Sequence, residues 1–448
     1  MEKWILSRYT ALIRGDSGDL ILHNSFMGAI AYVPVDKSAY IEKFVYQGIT
    51  EHDLSDQALK EICDGGFFVP SNLDEQKLVS ELLYKERELT DFNIIIMPNE
   101  NCNFRCTYCY ENHIRGKMNQ DVINGLKVFV DHKAGEYQRI NISWFGGEPL
   151  IAQDVIYELS ESFINSCEKN NIPYNSDITT NGYFLTSGVV DSLLNHRINR
   201  FQVTLDGPEI IHDSTRKLAN GGKTYRRILD NLINMHNSDS EFSVRIRVNF
   251  NCDSVPLMDQ FLSEISNYFV DDPRFSLYFR PIRKWGGEND ANLKTCDEKY
   301  ASYVKADLTE RHIKLGFSDN AIKEALMSHG NVCYAAKESS IVVGSDGTIY
   351  KCTLAFDDPR NHVGKLTEDG QLLIDQPRWD LWVKIDDKDT SGCAKCSFGP
   401  SCQSRACPRN AMELKRVICP MTKAEYESMV KSVVLSSYNH ANSNAFAV

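Results

Sequence analysis

The chain has 448 residues, of which 42% are apolar and 25% are charged, and its formal net charge at pH 7 is −12. This composition is typical of a globular protein with two or three domains, and the negative charge argues against a nucleic-acid partner. No apolar run reaches the roughly 18 residues of a membrane span, and the first residues lack the apolar core of a secretion signal, so we expect a cytoplasmic protein with no membrane partner.

Residues 1–88 predict a small α+β domain. Three short strands are predicted at residues 9–14, 20–24 and 27–34, with a turn signal at Gly15, Asp16, Ser17 and Gly18 between the first two. Three helices are predicted at residues 38–47, 56–64 and 74–83. Three strands followed by three helices form a winged-helix-like order, which also fits a capping domain without a binding role.

Residues 89–310 alternate predicted strands with segments long enough for helices. The strands are predicted at residues 92–97, 140–145, 177–180, 201–206, 244–250 and 275–281. Such alternation is typical of parallel strands joined by crossover helices. In a parallel barrel the chemistry gathers at the carboxyl ends of the strands, so the residues that follow each strand are candidates for a site.

Three cysteines follow the first predicted strand of this region. Cys102, Cys106 and Cys109 are separated by three and then two residues. Iron–sulfur clusters usually take four thiolates, so three of them at this spacing fit a [4Fe–4S] cluster with one iron open to another ligand. A zinc knuckle and a chance grouping are the alternatives.

Polar and glycine-rich segments follow the next strands. Gly146, Gly147, Glu148 and Pro149 come directly after the second strand, where glycines allow close backbone approach and the carboxylate suits an ammonium group. Thr180 and Asn181 end the third strand, where a plain loop is the alternative to ligand binding. On the fifth strand Arg245, Arg247 and Asn249 share one face, and Arg247 is the better candidate for binding a carboxylate.

The remaining cysteines are concentrated near the C-terminus. Seven of them follow a helical linker and recur at distinctive spacings: Cys333, Cys352, Cys393, Cys396, Cys402, Cys407 and Cys419. Without an export signal such cysteines favour metal binding over disulfides. We expect Cys63, Cys167, Cys252 and Cys296 to be structural.

The triad and the Gly-Gly-Glu-Pro run together resemble the radical S-adenosylmethionine (SAM) enzymes. The resemblance implies a partial (β/α)6 barrel in an α/β fold. In that family the open iron chelates SAM, whose reductive cleavage gives a 5′-deoxyadenosyl radical that abstracts hydrogen from the substrate. It also implies that Cys102, Cys106 and Cys109 are catalytic. Tyr108 is an aromatic residue typical of the family, and the Gly146–Pro149 run would contact the methionine amino group.

The C-terminal cysteines resemble the SPASM domain of these enzymes, here expected over residues 311–432 with a polar tail at 433–448. The resemblance implies two auxiliary [4Fe–4S] clusters, and so three clusters in all. Cys333, Cys352 and Cys407 would bind the first, and Cys393, Cys396, Cys402 and Cys419 the second. Four residues precede Cys407 where three are more usual. The first cluster lacks a fourth cysteine, so it could keep an open iron.

Residues 1–88 resemble the PqqD-like domains by which peptide-modifying enzymes bind a leader peptide. Together these resemblances predict an oxidoreductase that installs an intramolecular thioether, carbon–carbon or ether cross-link in a ribosomally made precursor peptide. Its expected partners are that peptide and a one-electron reductant such as flavodoxin or ferredoxin. The alternative is an anaerobic sulfatase-maturing enzyme that forms formylglycine. In those enzymes an aspartate follows the cysteine that corresponds to Cys352, and here that residue is Thr353.

Overall fold

The computed structural model describes residues 3–15, 17–87, 90–113, 115–384 and 393–443. Asp16 of the predicted turn and residues 444–448 of the predicted tail lie outside the described residues. Two compact units are present. Unit 1 comprises Met1–Glu88, Ser318–Cys333 and Ile385–Val448, and unit 2 comprises Leu89–Phe317 and Tyr334–Lys384. The segment 311–432, expected as one domain, is thus shared between both units.

The elements follow one another along the chain in three groups. The first contains β1 (Lys3–Leu6), β2 (Thr10–Arg14), β3 (Leu20–Asn24), β4 (Ala29–Val33), α1 (Val35–Gln47), β5 (Ile49–Thr50), α2 (Gln57–Asp64), β6 (Phe68–Pro70) and α3 (Glu75–Arg87). The second contains β7 (Asp91–Asn99), β8 (Phe104–Cys106), α4 (Gln120–Glu136), β9 (Arg139–Gly146), α5 (Gln153–Lys169), β10 (Tyr174–Thr180), α6 (Ser187–Asn195), β11 (Ile198–Thr204), α7 (Glu209–Thr215), β12 (Arg216–Leu218), α8 (Tyr225–His236), β13 (Ser243–Phe250), α9 (Met258–Phe269), β14 (Phe275–Pro281) and α10 (Glu298–Lys314). The third contains α11 (Asn320–Leu326), β15 (Ser340–Val343), β16 (Thr348–Tyr350), β17 (His362–Leu366), β18 (Leu372–Ile374), α12 (Gln376–Val383), α13 (Gly399–Cys402), α14 (Pro408–Leu414) and α15 (Lys423–Ser443).

Unit 1 contains two small antiparallel sheets. The three predicted strands form one of them, with the order β2-β3-β4, and the three predicted helices are also present. The second sheet, with the order β5-β1-β6, was not predicted. Its strands have two to four residues, which is too short for alternation to identify them. Apolar side chains of β3, α1 and α2 fill the space between them, among them Leu22, Ile41, Phe44 and Leu59.

Unit 2 is built on a ten-stranded sheet. The six predicted strands are confirmed as parallel neighbours in the order β14-β13-β11-β10-β9-β7, which is the expected partial barrel. The sheet continues beyond β7 with β15, which pairs in parallel, and then with the antiparallel strands β16, β17 and β18. This extension was not predicted, because β15 is a four-residue buried run that belongs to no alternating pattern.

Residues on the parallel strands alternate between two different environments. The outward-facing side chains pack under helices and are completely buried, as at Ile142, Ile178 and Ile246. The inward-facing side chains are polar and half-buried, and neighbouring strands hydrogen-bond through them. Asn175 Nδ2, for example, donates to Asn141 Oδ1 at 3.0 Å. The interior is therefore a polar cavity wall, and the carboxyl ends of its strands carry the candidate site.

Helix α15 continues to Ser443, so the chain stays helical well beyond residue 433, where the tail was predicted to begin. Val430 and Val433 are buried, which explains why this helix is stable in a segment of polar composition. Within the described residues no helix is both long and apolar enough to cross a membrane.

Candidate active site

The cysteine triad lies on the loop that follows β7. Strand β8 pairs with β12 in antiparallel fashion, which places Cys106 opposite Arg216. The backbone continues this pairing, because the Thr107 N–H donates to the Thr215 carbonyl at 2.9 Å. The Cys109 N–H then donates to the Cys106 carbonyl at 3.1 Å. The loop is therefore held in one conformation by main-chain hydrogen bonds.

The triad thiols are in a protected environment that suits iron–sulfur ligands. The Phe104 N–H donates to Cys102 Sγ at 3.4 Å, and hydrogen bonds to sulfur are among the factors that set a cluster's potential. Burial raises the pKa of the Cys102 thiol to about 12, and burial also raises the pKa values of Cys106 and Cys109. Buried thiols ionise when a bound metal compensates their charge, so the triad fits a cluster better than a free reactive thiol.

Gly146 and Gly147 bring the end of β9 against the start of the cysteine loop. Gly146 has φ +113°, and a Cβ there would lie 2.6 Å from the Asn99 carbonyl oxygen. A Cβ on Gly147 would lie 2.4 Å from the Asn101 carbonyl oxygen. The close approach that these glycines allow is therefore made to the chain's own backbone next to Cys102. Their predicted contact with SAM stays a prediction.

Glu148 lies at the centre of the contacts between β9 and β10. Its side chain is fully buried, and Oε1 accepts hydrogen bonds from the Thr180 hydroxyl at 2.7 Å and from the Leu150 N–H at 3.1 Å. Oε2 accepts from the Asn181 N–H at 2.8 Å. Pro149 begins the short 3₁₀ turn that presents the Leu150 N–H. Burial outweighs the lowering effect of these hydrogen bonds and raises the pKa of Glu148 to about 7.

Thr180 and Asn181 thus position Glu148, a role that the sequence did not reveal. Asn181 also reaches the cysteine loop, since its Nδ2 donates to Asn103 Oδ1 at 2.8 Å and lies 4.0 Å from Cys102 Sγ. Asn181 therefore contacts both the Glu148 carboxylate and the loop that carries the first cysteine.

We expect Glu148→Gln to lower SAM affinity by about tenfold or more, because a charge-assisted hydrogen bond contributes roughly 1.5–3 kcal/mol. Equilibrium dialysis of the anaerobic protein measures this affinity. The matched control is Glu158→Gln, which removes a carboxylate that forms a surface ion pair with Lys127. Unchanged SAM affinity in Glu148→Gln would show that this carboxylate only links the two strands.

Tyr108 is part of a buried network at the carboxyl ends of β11 and β13. Its hydroxyl donates to Asp206 Oδ2 and accepts from Arg216 Nη1 at 2.8 Å and from Asn249 Nδ2 at 3.2 Å. The Asn249 N–H also donates to Asp206 Oδ1, at 2.8 Å. The network anchors the triad between Cys106 and Cys109. Because three protein groups hydrogen-bond to the Tyr108 hydroxyl, the predicted contact of Tyr108 with the cofactor would be made by its aromatic ring.

Arg247 points its Nε toward Asn249 Oδ1, at 2.9 Å, on the inner face of the sheet. Its positive charge acts to lower the pKa of Tyr110, the residue after Cys109 on the cysteine loop. The predicted contact of Arg247 with SAM stays a prediction. Burial raises the pKa of Tyr110, and the Cys352 thiol contributes to this rise. Cys352 is itself buried and is thus also close to this loop.

Glu100 and Arg115, at the two ends of the cysteine loop, were missed by the sequence analysis. Glu100 is buried, accepts from the Ser345 N–H at 2.9 Å and pairs with Arg115 Nε at 3.0 Å. Arg115 also contacts Asp346 at 3.3 Å. Ser345 and Asp346 form the turn between β15 and β16, completed by Gly347 with φ +81°. Ser345 and Asp346 lie over 200 residues away from Glu100 and Arg115 in sequence, so no local signal could have revealed their contacts with this pair.

Four of the C-terminal cysteines line one cavity within unit 1. The cavity measures about 680 Å³, and its lining includes Cys393, Cys396, Cys402 and Cys419. Burial, together with the charges of the other three thiols, raises the pKa of Cys402 to about 11. Four thiols that lie close together around a cavity of this size fit the [4Fe–4S] cluster that was predicted for them. Residues of β2 and α3 complete the lining, among them Tyr9, Leu12 and Val79.

The ligands predicted for the first auxiliary cluster are not all in one unit. Cys333 and Cys407 belong to unit 1, where the Cys333 N–H donates to the Arg405 carbonyl at 2.9 Å, and Cys352 belongs to unit 2. Among the described residues, no three Cys, His, Asp or Glu side chains converge as ligands of a single ion would. A four-iron cluster differs from such a site, because each thiolate binds a separate iron.

Comparison with known proteins agrees with this architecture. Residues 96–250 match the family model described as the Radical SAM superfamily. The chain is 23% identical over 344 residues to a cysteine-type anaerobic sulfatase-maturating enzyme of Clostridium novyi, covering 72% of this chain and 89% of that protein. It is 22% identical over 389 residues to the radical SAM cyclopropyl synthase TigE of Paramaledivibacter caminithermalis, covering 78% and 79%.

Among solved structures, Streptococcus suis SuiB superposes with a TM-score of 0.50 at 15% identity, covering 94% of this chain and 99% of that one. The match, the sheet and the triad that follows β7 define a radical SAM domain in residues 96–250. A domain of this family implies SAM and one [4Fe–4S] cluster as cofactors.

Proposed function

We propose that this enzyme abstracts hydrogen from a ribosomally made precursor peptide and closes an intramolecular cross-link in it. The observation that carries the proposal is that unit 1 combines an accessible sheet edge with a cavity lined by four cysteines. An enzyme acting on SAM alone needs neither feature. The related sulfatase-maturating enzyme is named for the maturation of a protein, which supports a peptide substrate, and TigE is named for ring formation, which supports a bond-forming reaction.

The chain's residues take the following roles in this proposal. Cys102, Cys106 and Cys109 hold the cluster, Glu148 binds the SAM ammonium, and Arg247 binds the SAM carboxylate. When bound, the clusters supply the electron that cleaves SAM and an acceptor for the electron that leaves the substrate. Thr180 and Asn181 keep Glu148 in place, and Tyr108 keeps the cysteine loop in place. One hydrogen atom, one proton and one electron leave the peptide as each new bond closes.

The auxiliary clusters belong to this proposal as well. Cys393, Cys396, Cys402 and Cys419 bind one, and Cys333, Cys352 and Cys407 bind the other. A reductant of the flavodoxin or ferredoxin kind delivers electrons one at a time. The protein acts in the cytoplasm, where precursor peptides are made.

The relatives also support formylglycine formation as a second candidate. Thr353 is evidence against formylglycine formation, because a hydroxyl cannot replace a carboxylate base. The Thr353 hydroxyl lies 2.8 Å from the Tyr334 hydroxyl. Mass spectrometry of the reacted peptide distinguishes the two reactions. A cross-link removes two hydrogens, keeps every sulfur and leaves no aldehyde, whereas a cysteine converted to formylglycine loses its sulfur and a serine converted to formylglycine becomes an aldehyde that a hydrazine traps. A sulfur-free product would overturn the cross-linking proposal.

Strand β4 is the proposed leader-peptide site, since an edge strand can pair with an added strand. Tyr32 on this strand is 38% exposed. Along β4, successive N–H groups point alternately toward β3 and away from it. Of the two variants Ile30→Pro and Ala31→Pro, one therefore removes an N–H that faces β3, and the other removes an N–H that faces an added strand. We expect one variant to weaken precursor binding at least about tenfold at wild-type stability, and the other to lower the melting temperature.

Fluorescence anisotropy of a labelled leader peptide and thermal unfolding measure these two effects. Full leader affinity in both proline variants would rule out strand addition at β4. These substitutions are preferable to deletion of residues 1–88. The Ser25 hydroxyl donates to the Ser397 carbonyl, and His23 Nδ1 lies 2.5 Å from the Tyr426 hydroxyl. Deletion would therefore expose the cysteine-lined cavity as well.

A further inference from the structure

The positive charge inside the sheet is concentrated on two neighbouring strands. Arg245 and Arg247 of β13 face inward together with Tyr278 and Arg280 of β14. In the strand register Arg247 is level with Tyr278, and Asn249 is level with Arg280. Arg280 therefore lies at the carboxyl end of the sheet, at the height of the Asn249 side chain that contacts Tyr108.

Several cations surround one aromatic ring on this face. The guanidinium carbons of Arg245 and Arg280 lie 5.8 and 5.6 Å from the centre of the Tyr278 ring. Lys305 of α10, which packs against β14, also acts on this ring. Burial raises the pKa of Tyr278, but the surrounding positive charges outweigh burial and bring the pKa below its usual value.

Two of these cations, Arg245 and Arg280, lack a carboxylate partner within the part of the chain that the structure describes. Arg245 and Arg280 form no ion pair there. Asp177, whose charge interacts with Arg245, lies two strands away and accepts from the Ser143 hydroxyl at 2.8 Å. Half-buried cations are costly without a partner, so the face is suited to an anion.

We propose that Arg245 and Arg280 bind a carboxylate of the substrate peptide, an aspartate or glutamate side chain next to the residue that reacts. The inference rests on the proposed peptide substrate. A guanidinium pairs with a carboxylate through two parallel hydrogen bonds, which would fix the peptide beside the cysteine loop. A protein of net charge −12 repels acidic peptides elsewhere on its surface, so a local cationic site would also select their orientation.

Two pools of N-acetylated tetrapeptide amides test the site, one with glutamate and one with glutamine at a single fixed position. Equilibrium dialysis against the anaerobic SAM-bound holoenzyme, with mass-spectrometric quantification, measures their retention. We expect the glutamate pool to be retained about tenfold better, the ratio typical of one charge-assisted hydrogen bond. Arg280→Gln should remove this preference, and Arg280→Lys should keep part of it.

Arg280→Glu should reverse the preference toward a matched lysine pool. The control Arg139→Gln removes an exposed arginine at the amino end of β9 and should change nothing. Equal retention of both pools, or retention of neither, overturns the carboxylate site. Arg280→Gln could instead lose SAM affinity and keep the preference for the glutamate pool. This result would assign Arg280 to the SAM carboxylate, and it would also overturn the proposed site for a substrate carboxylate. SAM cleavage by the same preparations reports separately on the proposed radical chemistry.

Discussion

Replacing Cys102, Cys106 and Cys109 together by alanine should abolish 5′-deoxyadenosine formation and lower the iron content of reconstituted protein from about twelve to about eight per chain. The three thiols are the proposed ligands of the cluster that binds SAM, and the rest of the loop is held by backbone hydrogen bonds that the substitution leaves intact. The melting temperature should therefore change little in comparison with the activity.

The matched control replaces Cys63, Cys252 and Cys296 by serine. These three cysteines belong neither to the triad nor to the seven C-terminal cysteines. This control should keep all of its iron and its SAM cleavage. Any 5′-deoxyadenosine produced by the alanine variant above the reductant-only background would refute the assignment of the triad.

Replacing Cys402 by alanine should remove about four irons per chain and destabilise unit 1 by several kcal/mol, since structural metal sites contribute directly to folding. Cys402 is buried, and the cavity it lines is bounded by β2, α3 and the start of α15. Without its occupant this cavity would leave apolar groups such as Leu12 and Val79 without packing partners.

Iron analysis and limited proteolysis of residues 1–88 measure the two effects. Cys167→Ala serves as the control, because Cys167 is fully buried in α5 and is not a proposed ligand. It should keep its iron and lose only packing energy. A Cys402→Ala protein with full iron content would contradict the second auxiliary site.

The parallel strands were predictable because each combines a buried apolar face with a polar inner face and ends at a distinctive motif. Gly146–Pro149 and the triad were recognised from their spacing together with the resemblance to the radical SAM enzymes. The network of Tyr108, Asp206 and Asn249 was not, since its members come from three separate segments whose proximity depends on the completed sheet. Asp206 is 1% exposed and holds Asn249 and Tyr108 through its two carboxylate oxygens.

The division into units was harder to predict than the elements themselves. Strand β15 joins the barrel sheet next to β7 although about 240 residues separate them in sequence, because pairing depends on an edge that only the folded barrel presents. Cysteine spacing likewise predicts a ligand set without predicting which unit holds each ligand. Cys333 and Tyr334 are adjacent in sequence yet belong to different units.

Deuterium transfer tests the central claim most directly. The anaerobic wild-type enzyme would be given SAM, dithionite and a perdeuterated candidate precursor peptide, and the 5′-deoxyadenosine would be analysed by mass spectrometry. Our account predicts that 5′-deoxyadenosine gains one deuterium and that the peptide loses one carbon-bound deuterium and one further hydrogen, which is solvent-exchanged protium if the new bond is a thioether or an ether. Formation of 5′-deoxyadenosine without deuterium while the peptide is modified, or modification without any SAM cleavage, would contradict it.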